Sequence, residues 1–333
     1  MDIAINLSLL ALGFVLLIKG ADFLVNGASS LAKRFNVSDI AIGLTIVAMG
    51  TSAPELVINI ISGSKPEEGM DGIIFGNIIG SNIFNLFLIL GVAAIIYPIT
   101  VQKNSLWKEV PYSLVITFVF FVLLNDTMFR NADVNEMTPF DGVILLIMFG
   151  LFLLYIFLNM KRTGEIEELE DIKIYGSLKT TLMILGGIAG LAFGGKFIVD
   201  SAIQISEMIG IDKKLVGLTI LAAGTSLPEL ATTAVAAFHK KSDIAVGNIV
   251  GSNIFNILLV LGLTAVSHGP LVYDDVLNTD LYLVMIGTFM LFIFMFTFNK
   301  YKIDRSEGAV YLIGFVAYMA YLFMREGIIT SPF

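Results

Sequence analysis

The segment IGLTIVAMGTSAPEL, residues 42–56, decides how this chain folds. It is apolar enough to sit in a bilayer, yet it ends on a glycine, two hydroxyls, a proline and a glutamate. Proline has no N–H and clashes with the turn before it, so a helix must open just ahead of Pro54. Gly50, Thr51 and Ser52 tolerate that opening. The backbone carbonyl freed at about Ala48 then lacks a helical partner, which a bilayer permits only where it is buried in protein or lines a cavity. Thr51 and Glu55 stand four residues apart, so hydroxyl and carboxylate share a helix face. An intramembrane carboxylate costs at least ~2.5 kcal/mol on insertion scales and by default marks a functional site.

The pattern recurs at 216–230 as VGLTILAAGTSLPEL, placing Pro228 beside Glu229, Thr225 four residues before that carboxylate, and a freed carbonyl at about Ala222. A second motif follows each copy: FGNIIGSNIFN at 75–85 and VGNIVGSNIFN at 246–256. Across GTSxPEL and this second motif, 15 of 18 aligned positions are identical. Asn77, Ser81 and Asn85 form a polar stripe at i, i+4, i+8, and Asn248, Ser252 and Asn256 repeat it. Asn77, Asn248, Asn82 and Asn253 read as interhelical hydrogen-bonding residues, with Gly76-xxx-Gly80 and Gly247-xxx-Gly251 allowing close packing. Ser81, Asn85, Ser252 and Asn256 read as ligands.

Working outward, the whole chain suits a membrane. Of 333 residues 56% are hydrophobic and 14% charged, and mean hydropathy is +0.87, against roughly 25% charged in soluble domains. Runs long enough to cross a bilayer recur at 5–26, 39–62, 72–97, 110–125, 140–159, 179–203, 214–237, 243–266, 279–298 and 308–324. The expected fold is therefore an all-α polytopic membrane protein with ten transmembrane helices. MDIAINLSLL opens with an acid and no basic region, so the first run reads as a span and not a signal peptide. With ten spans, thirteen Lys and Arg of the loops fall on one face and five on the other. That bias puts the first face in the cytoplasm and both termini outside.

The stretch at 159–180 divides the spans five and five. Each half has an odd number, so similar halves must enter the membrane from opposite sides, an inverted repeat of the kind common in secondary transporters. The expected organisation is a first five-helix repeat over 1–160, a cytoplasmic acidic linker over 161–178, and a second repeat over 179–333. The run EIEELED at 165–171 lacks the alternating ligands and glycine of an EF-hand loop and reads as a solvated linker. The matching glycines and phenylalanines of the first and sixth spans read as a pair that slides against the other helices or, equally, as core packing.

The collected donors are carboxylates, amides, hydroxyls and carbonyls. Such an all-oxygen set suits Ca2+, Mg2+, Mn2+ or Na+ and not a soft transition metal. The chain has no cysteine, and His239 and His268 read as solvated residues at loop edges. A net charge of −8 without a basic run argues against nucleic acid. An intramembrane metalloprotease would need HExxH and an ATP-driven pump a GxxxxGK[ST] loop; neither appears. A channel usually gains its pore from oligomer symmetry, whereas two half-sites in one chain favour a transporter acting as a monomer.

These paired motifs resemble the α-repeats of the sodium/calcium exchangers, within the wider calcium/cation antiporter superfamily. The resemblance covers both halves and the ten-span layout. It implies a central ion site built on Glu55 and Glu229, with Thr51, Ser52, Ser81, Asn85, Thr225, Ser226, Ser252 and Asn256, and the carbonyls of Ala48 and Ala222. It further implies exchange of Na+ for Ca2+ by alternating access, with no organic cofactor; without organelle signals in the sequence, the plasma membrane is the expected location. Many relatives carry Asp where this chain has Asn256, so the site here holds two formal negative charges instead of three. That departure argues against the potassium-dependent branch. The alternative is a proton-coupled Ca2+ exchanger, because two buried carboxylates can themselves carry protons.

Overall fold

The computed structural model describes residues 3–64, 70–100, 103–159, 174–208, 222–297 and 301–325, and helices account for most of them. The acidic run 165–171 and the first part of the 214–237 run lie outside the described residues. Helix α1 (Ile3–Phe35) leads into α2 (Asp39–Thr51) and α3 (Ala53–Gly63), which are bent by 45° across Ser52. Helices α4 (Asp71–Ile96), α5 (Lys103–Leu124) and α6 (Pro139–Asn159) follow. In the second half come α7 (Ser177–Met208), the short α8 (Ala222–Thr225), α9 (Leu227–Phe238), α10 (Ser242–His268), α11 (Asn278–Phe294) and α12 (Arg305–Arg325). Among the described residues seven helices are long and apolar enough to cross a membrane, and the bent α2–α3 pair makes an eighth.

Burial ranks these helices. The apolar windows of α4 and α10 are 78% and 83% buried, against 22% for α1 and α12. The two helices that carry the GNxxGSNxxN motifs therefore form the centre, and the others surround them. Apolar side chains on the outer faces, such as Val15, Ile18, Leu154 and Phe157, are each more than half exposed. That surface is what a lipid-facing helix presents, since lipid tails are as apolar as the residues themselves.

Glycines set the closest approaches. A Cβ on Gly20 would lie 2.8 Å from the backbone nitrogen of Leu191, and one on Gly187 would lie 2.7 Å from that of Leu24. Helices α1 and α7 thus touch backbone to backbone along a shared stripe, the pairing expected of the first and sixth spans. In the centre, a Cβ on Gly247 would stand 2.9 Å from the Cα of Gly43. This is the close packing expected of Gly247-xxx-Gly251, whereas among the described residues nothing lies within 4 Å of a Cβ on Gly76 or Gly80.

Two short antiparallel ribbons tie the halves together reciprocally. Strand β1 (Ile99–Thr100) pairs with β4 (Lys302–Ile303), and β2 (Glu136–Met137) pairs with β3 (Leu271–Val272). β1 follows α4 as β3 follows α10, so each ribbon joins the end of one motif helix to a late connection of the other half.

Neither histidine is simply solvated. His239 Nε2 lies 2.9 Å from Asp22 Oδ1, and Lys241 Nζ donates to Asn26 Oδ1 at 3.2 Å, tying α1 to the turn between α9 and α10. His268 closes α10 and packs on Gly63, where a Cβ would come within 2.9 Å of its ring. A turn that must pack on a neighbouring helix gives an imidazole a partner that its place in the sequence does not announce.

Candidate functional site

The helix breaks fall at the same point in each half. Ser52 has φ −83° and ψ 8°, and Ser226 has φ −87° and ψ 2°, both displaced from helical values. Pro54 and Pro228 occupy the first turn of the helix that follows, where a missing N–H costs nothing. The glutamates come one residue later, in the first turn of α3 and α9, and both are buried.

The carbonyl expected to be freed at Ala48 is not free. It accepts the Ser52 amide at 2.9 Å and lies 3.2 Å from Thr51 Oγ1. The donor withheld by a proline belongs to the carbonyl four residues earlier, which is Gly50 for Pro54 and Gly224 for Pro228. Ala48 can reach an ion only through a lone pair that Ser52 leaves over. In the second half the Ser226 amide turns to Ala223 at 3.2 Å instead.

The side chains converge from both halves. Ser81 Oγ donates to Glu55 Oε1 at 3.3 Å, and Ser52 Oγ donates to Glu229 Oε1 at 3.0 Å. Thr51 Oγ1 lies 3.1 Å from Asn248 Oδ1 and 3.5 Å from Ser252 Oγ, so Thr51 and Ser252 meet across the halves. Asn85 Nδ2 donates to Asn253 Oδ1 at 2.9 Å, and Asn256 Nδ2 donates to Asn82 Oδ1 at 3.1 Å. Among the described residues, Glu55 Oε2, Glu229 Oε2, Asn85 Oδ1, Asn256 Oδ1, Thr225 Oγ1 and Ser226 Oγ are buried with no hydrogen-bond partner. Orphaned buried oxygens of this kind are rare, and several in one cluster need a ligand to satisfy them. A hard cation does so, and the two carboxylates supply the negative charge it requires.

Asn77 and Asn248 take the interhelical role read from the sequence. Asn77 Nδ2 donates to Asn59 Oδ1 at 2.7 Å and to the Glu55 carbonyl at 3.4 Å. Asn248 Nδ2 donates to Thr233 Oγ1 at 2.9 Å and to the Glu229 carbonyl at 3.5 Å. Asn59 and Thr233 are supporting residues that the motifs did not include. Their signal lay in the sequence, since each stands four residues beyond its glutamate and is polar in both halves.

A second feature has no sequence signal. The backbone is π-helical over Phe84–Ile89 and Asn256–Leu261, at matching places in the two halves, and again over Gly43–Val47. Such widened turns recur at functional sites because they redirect the side chains that follow. Here they begin where Asn85 and Asn256 stand.

Known proteins share this chain's sequence pattern and fold. Residues 5–158 and 179–324 match the sequence model of the sodium/calcium exchanger protein family. The putative antiporter CaxA of Alkalimonas amylolytica is 35% identical over 318 residues, 93% of this chain and 96% of that protein. The sodium/calcium exchanger MaX1 of Methanosarcina acetivorans is 33% identical over 355 residues, 96% of this chain and 99% of that protein. Among solved structures, the sodium-calcium exchanger NCX_Mj soaked with zero Na+ and Ca2+ superposes with a TM-score of 0.81 at 29% identity. That match covers 96% of this chain and 100% of the solved one.

Proposed function

The chain belongs to the sodium/calcium exchanger family, an antiporter family and not an enzyme family, and on that premise we propose that it exchanges Na+ for Ca2+ by alternating access. The observation that carries the proposal is the pair of buried carboxylates, each holding one oxygen to a serine and leaving the other without a partner. Glu55 and Glu229 are the central ligands. Thr51, Ser52, Ser81 and Asn85 serve with them from the first half, and Thr225, Ser226, Ser252 and Asn256 from the second. The carbonyl of Ala222 completes the set; that of Ala48 is already taken by the Ser52 amide and the Thr51 hydroxyl. Ca2+ takes six to eight oxygens, which side chains of this kind supply from two directions.

The reading extends to the topology. Ten spans form two five-span repeats of opposite orientation, with both termini outside, 161–178 in the cytoplasm and the whole in the plasma membrane as a working monomer. One side-chain asymmetry fits such a cycle. Ser52 donates to Glu229 across the halves, whereas its counterpart Ser226 has a buried oxygen without a partner. In the proposed mechanism the two serines exchange these roles as the site turns from one side of the membrane to the other.

Charge bears on coupling. Two carboxylates balance one Ca2+, while three Na+ leave a positive surplus; the neutral Asn256 is the reason. An exchanger also behaves differently from a channel. In purified protein reconstituted into vesicles, unlabelled Ca2+ trapped inside is expected to accelerate entry of labelled Ca2+ severalfold, because each inward turn of the site needs a loaded return. Uptake that rises linearly with Ca2+ and ignores the trapped ion would identify a channel and end the antiport reading.

A further inference from the structure

We propose that Asn82 and Asn253 are positioning residues that hold the amides of Asn256 and Asn85 with their oxygens turned toward the ions. An asparagine amide has two nearly isosteric ends of opposite polarity: an oxygen that accepts and an NH2 that only donates. A ligand amide is useful to a cation only with its oxygen forward, since the NH2 end carries partial positive charge. Turning the amide over exchanges those ends at little steric cost. Something beyond packing must fix its polarity.

The fixing contact is present twice. Asn85 Nδ2 donates across the halves to Asn253 Oδ1 at 2.9 Å, and Asn256 Nδ2 donates to Asn82 Oδ1 at 3.1 Å. All four side chains are buried. With their NH2 groups tied back, Asn85 Oδ1 and Asn256 Oδ1 are the ends left without a partner. Each GSNxxN motif therefore plays two parts. Its last asparagine is a ligand, and the asparagine three residues earlier clamps the ligand of the opposite half. Both ligands stand at the start of a π-helical turn, Asn85 one residue inside it and Asn256 at its first position. Because each contact runs between halves, the orientation of one half's ligand depends on the position of the other half.

This inference rests on the ion-site reading and deepens it, and a double-mutant cycle tests it. Ca2+ affinity of the purified full-length protein is measured by calorimetry for Asn82→Leu in the wild-type background and again in Asn256→Ala. Leucine has a similar size and removes only the acceptor. Asn82→Leu is expected to lower affinity about tenfold in the wild type, the equivalent of ~1.4 kcal/mol. In Asn256→Ala, where no amide remains to be clamped, it is expected to add less than about twofold, as coupled pairs do. Asn82→Asp keeps an acceptor oxygen and is expected to retain affinity within about threefold. The same cycle with Asn253→Leu and Asn85→Ala is expected to agree, and it decides the matter should Asn82→Leu not fold. An equal loss in both backgrounds makes these asparagines packing residues and overturns the proposal alone. A wild-type protein that binds no Ca2+ overturns the ion-site reading and the proposal with it.

Discussion

Ca2+ exchange by Glu55→Gln or Glu229→Gln is expected to fall at least about 100-fold while the protein stays folded. Each side chain keeps its shape and loses its charge. A carboxylate oxygen about 2.4 Å from a divalent ion attracts it by roughly 7 kcal/mol per unit of ion charge at an effective dielectric of 20. Desolvation cancels a large part of this. A residual loss of only about 2.8 kcal/mol already weakens binding 100-fold. The fold does not need these charges, because a buried carboxylate with no cationic side chain beside it among the described residues costs far more free energy to desolvate than its neutral amide. Thermal melting of the purified variants, with and without Ca2+, checks both halves of the argument. The melting temperature without ion should hold or rise, and the Ca2+-dependent increase should vanish. Normal exchange by either variant would remove that glutamate from the site.

Gly20→Leu and Gly187→Leu are expected to be strongly destabilising although both lie away from the ions. At both positions a single added carbon would already stand within 3 Å of backbone atoms of the opposing helix. Backbone cannot move aside as a side-chain tip can, so leucine must push α1 and α7 apart. Overpacking of this kind costs ~1–3 kcal/mol, and the lost contacts along the stripe add to it. Exchange should fail with the fold. The control is Val15→Leu on the same helix, where the side chain is more than half exposed and no change is expected. Melting curves of the three variants decide the point. A Gly20→Leu protein as stable as the wild type would mean that the two helices are not in contact.

Much of this molecule was legible because the bilayer makes polar residues informative. Pro54 and Pro228, each preceded by a flexible glycine and hydroxyls, announced the breaks, and these fall at Ser52 and Ser226. Two glutamates in apolar runs announced the site, and both are buried there. The register of the GNxxGSNxxN stripe announced Asn77 and Asn248 as braces, because an amide among hydrocarbon neighbours must find a partner. Repetition of all this in both halves made coincidence an inadequate explanation.

What stayed hidden was geometry that residue identity does not encode. The reciprocal asparagine contacts depend on which helices face one another, and the motif alone gave Asn82 and Asn253 only a generic bonding role. The π-helical turns at Asn85 and Asn256 left no mark, since their sequences read as ordinary apolar helix. The β ribbons are two residues per strand, too short for any alternation to show. The Ala48 carbonyl was misread because the break falls at Ser52, late enough for the Ser52 amide to remain in the preceding helix.

The central claim, that this chain couples Ca2+ movement to Na+, is tested most directly by imposing one gradient at a time on purified protein in sealed vesicles. Vesicles loaded with Na+ are diluted into Na+-free medium containing labelled Ca2+. A parallel set carries a pH gradient of equal size with Na+ absent throughout. Outward Na+ is expected to drive Ca2+ uptake well above the ungraded control, and the pH gradient alone to drive far less. Uptake on the pH gradient equal to that on the Na+ gradient would contradict the account and make the protein a proton-coupled exchanger using the same two glutamates.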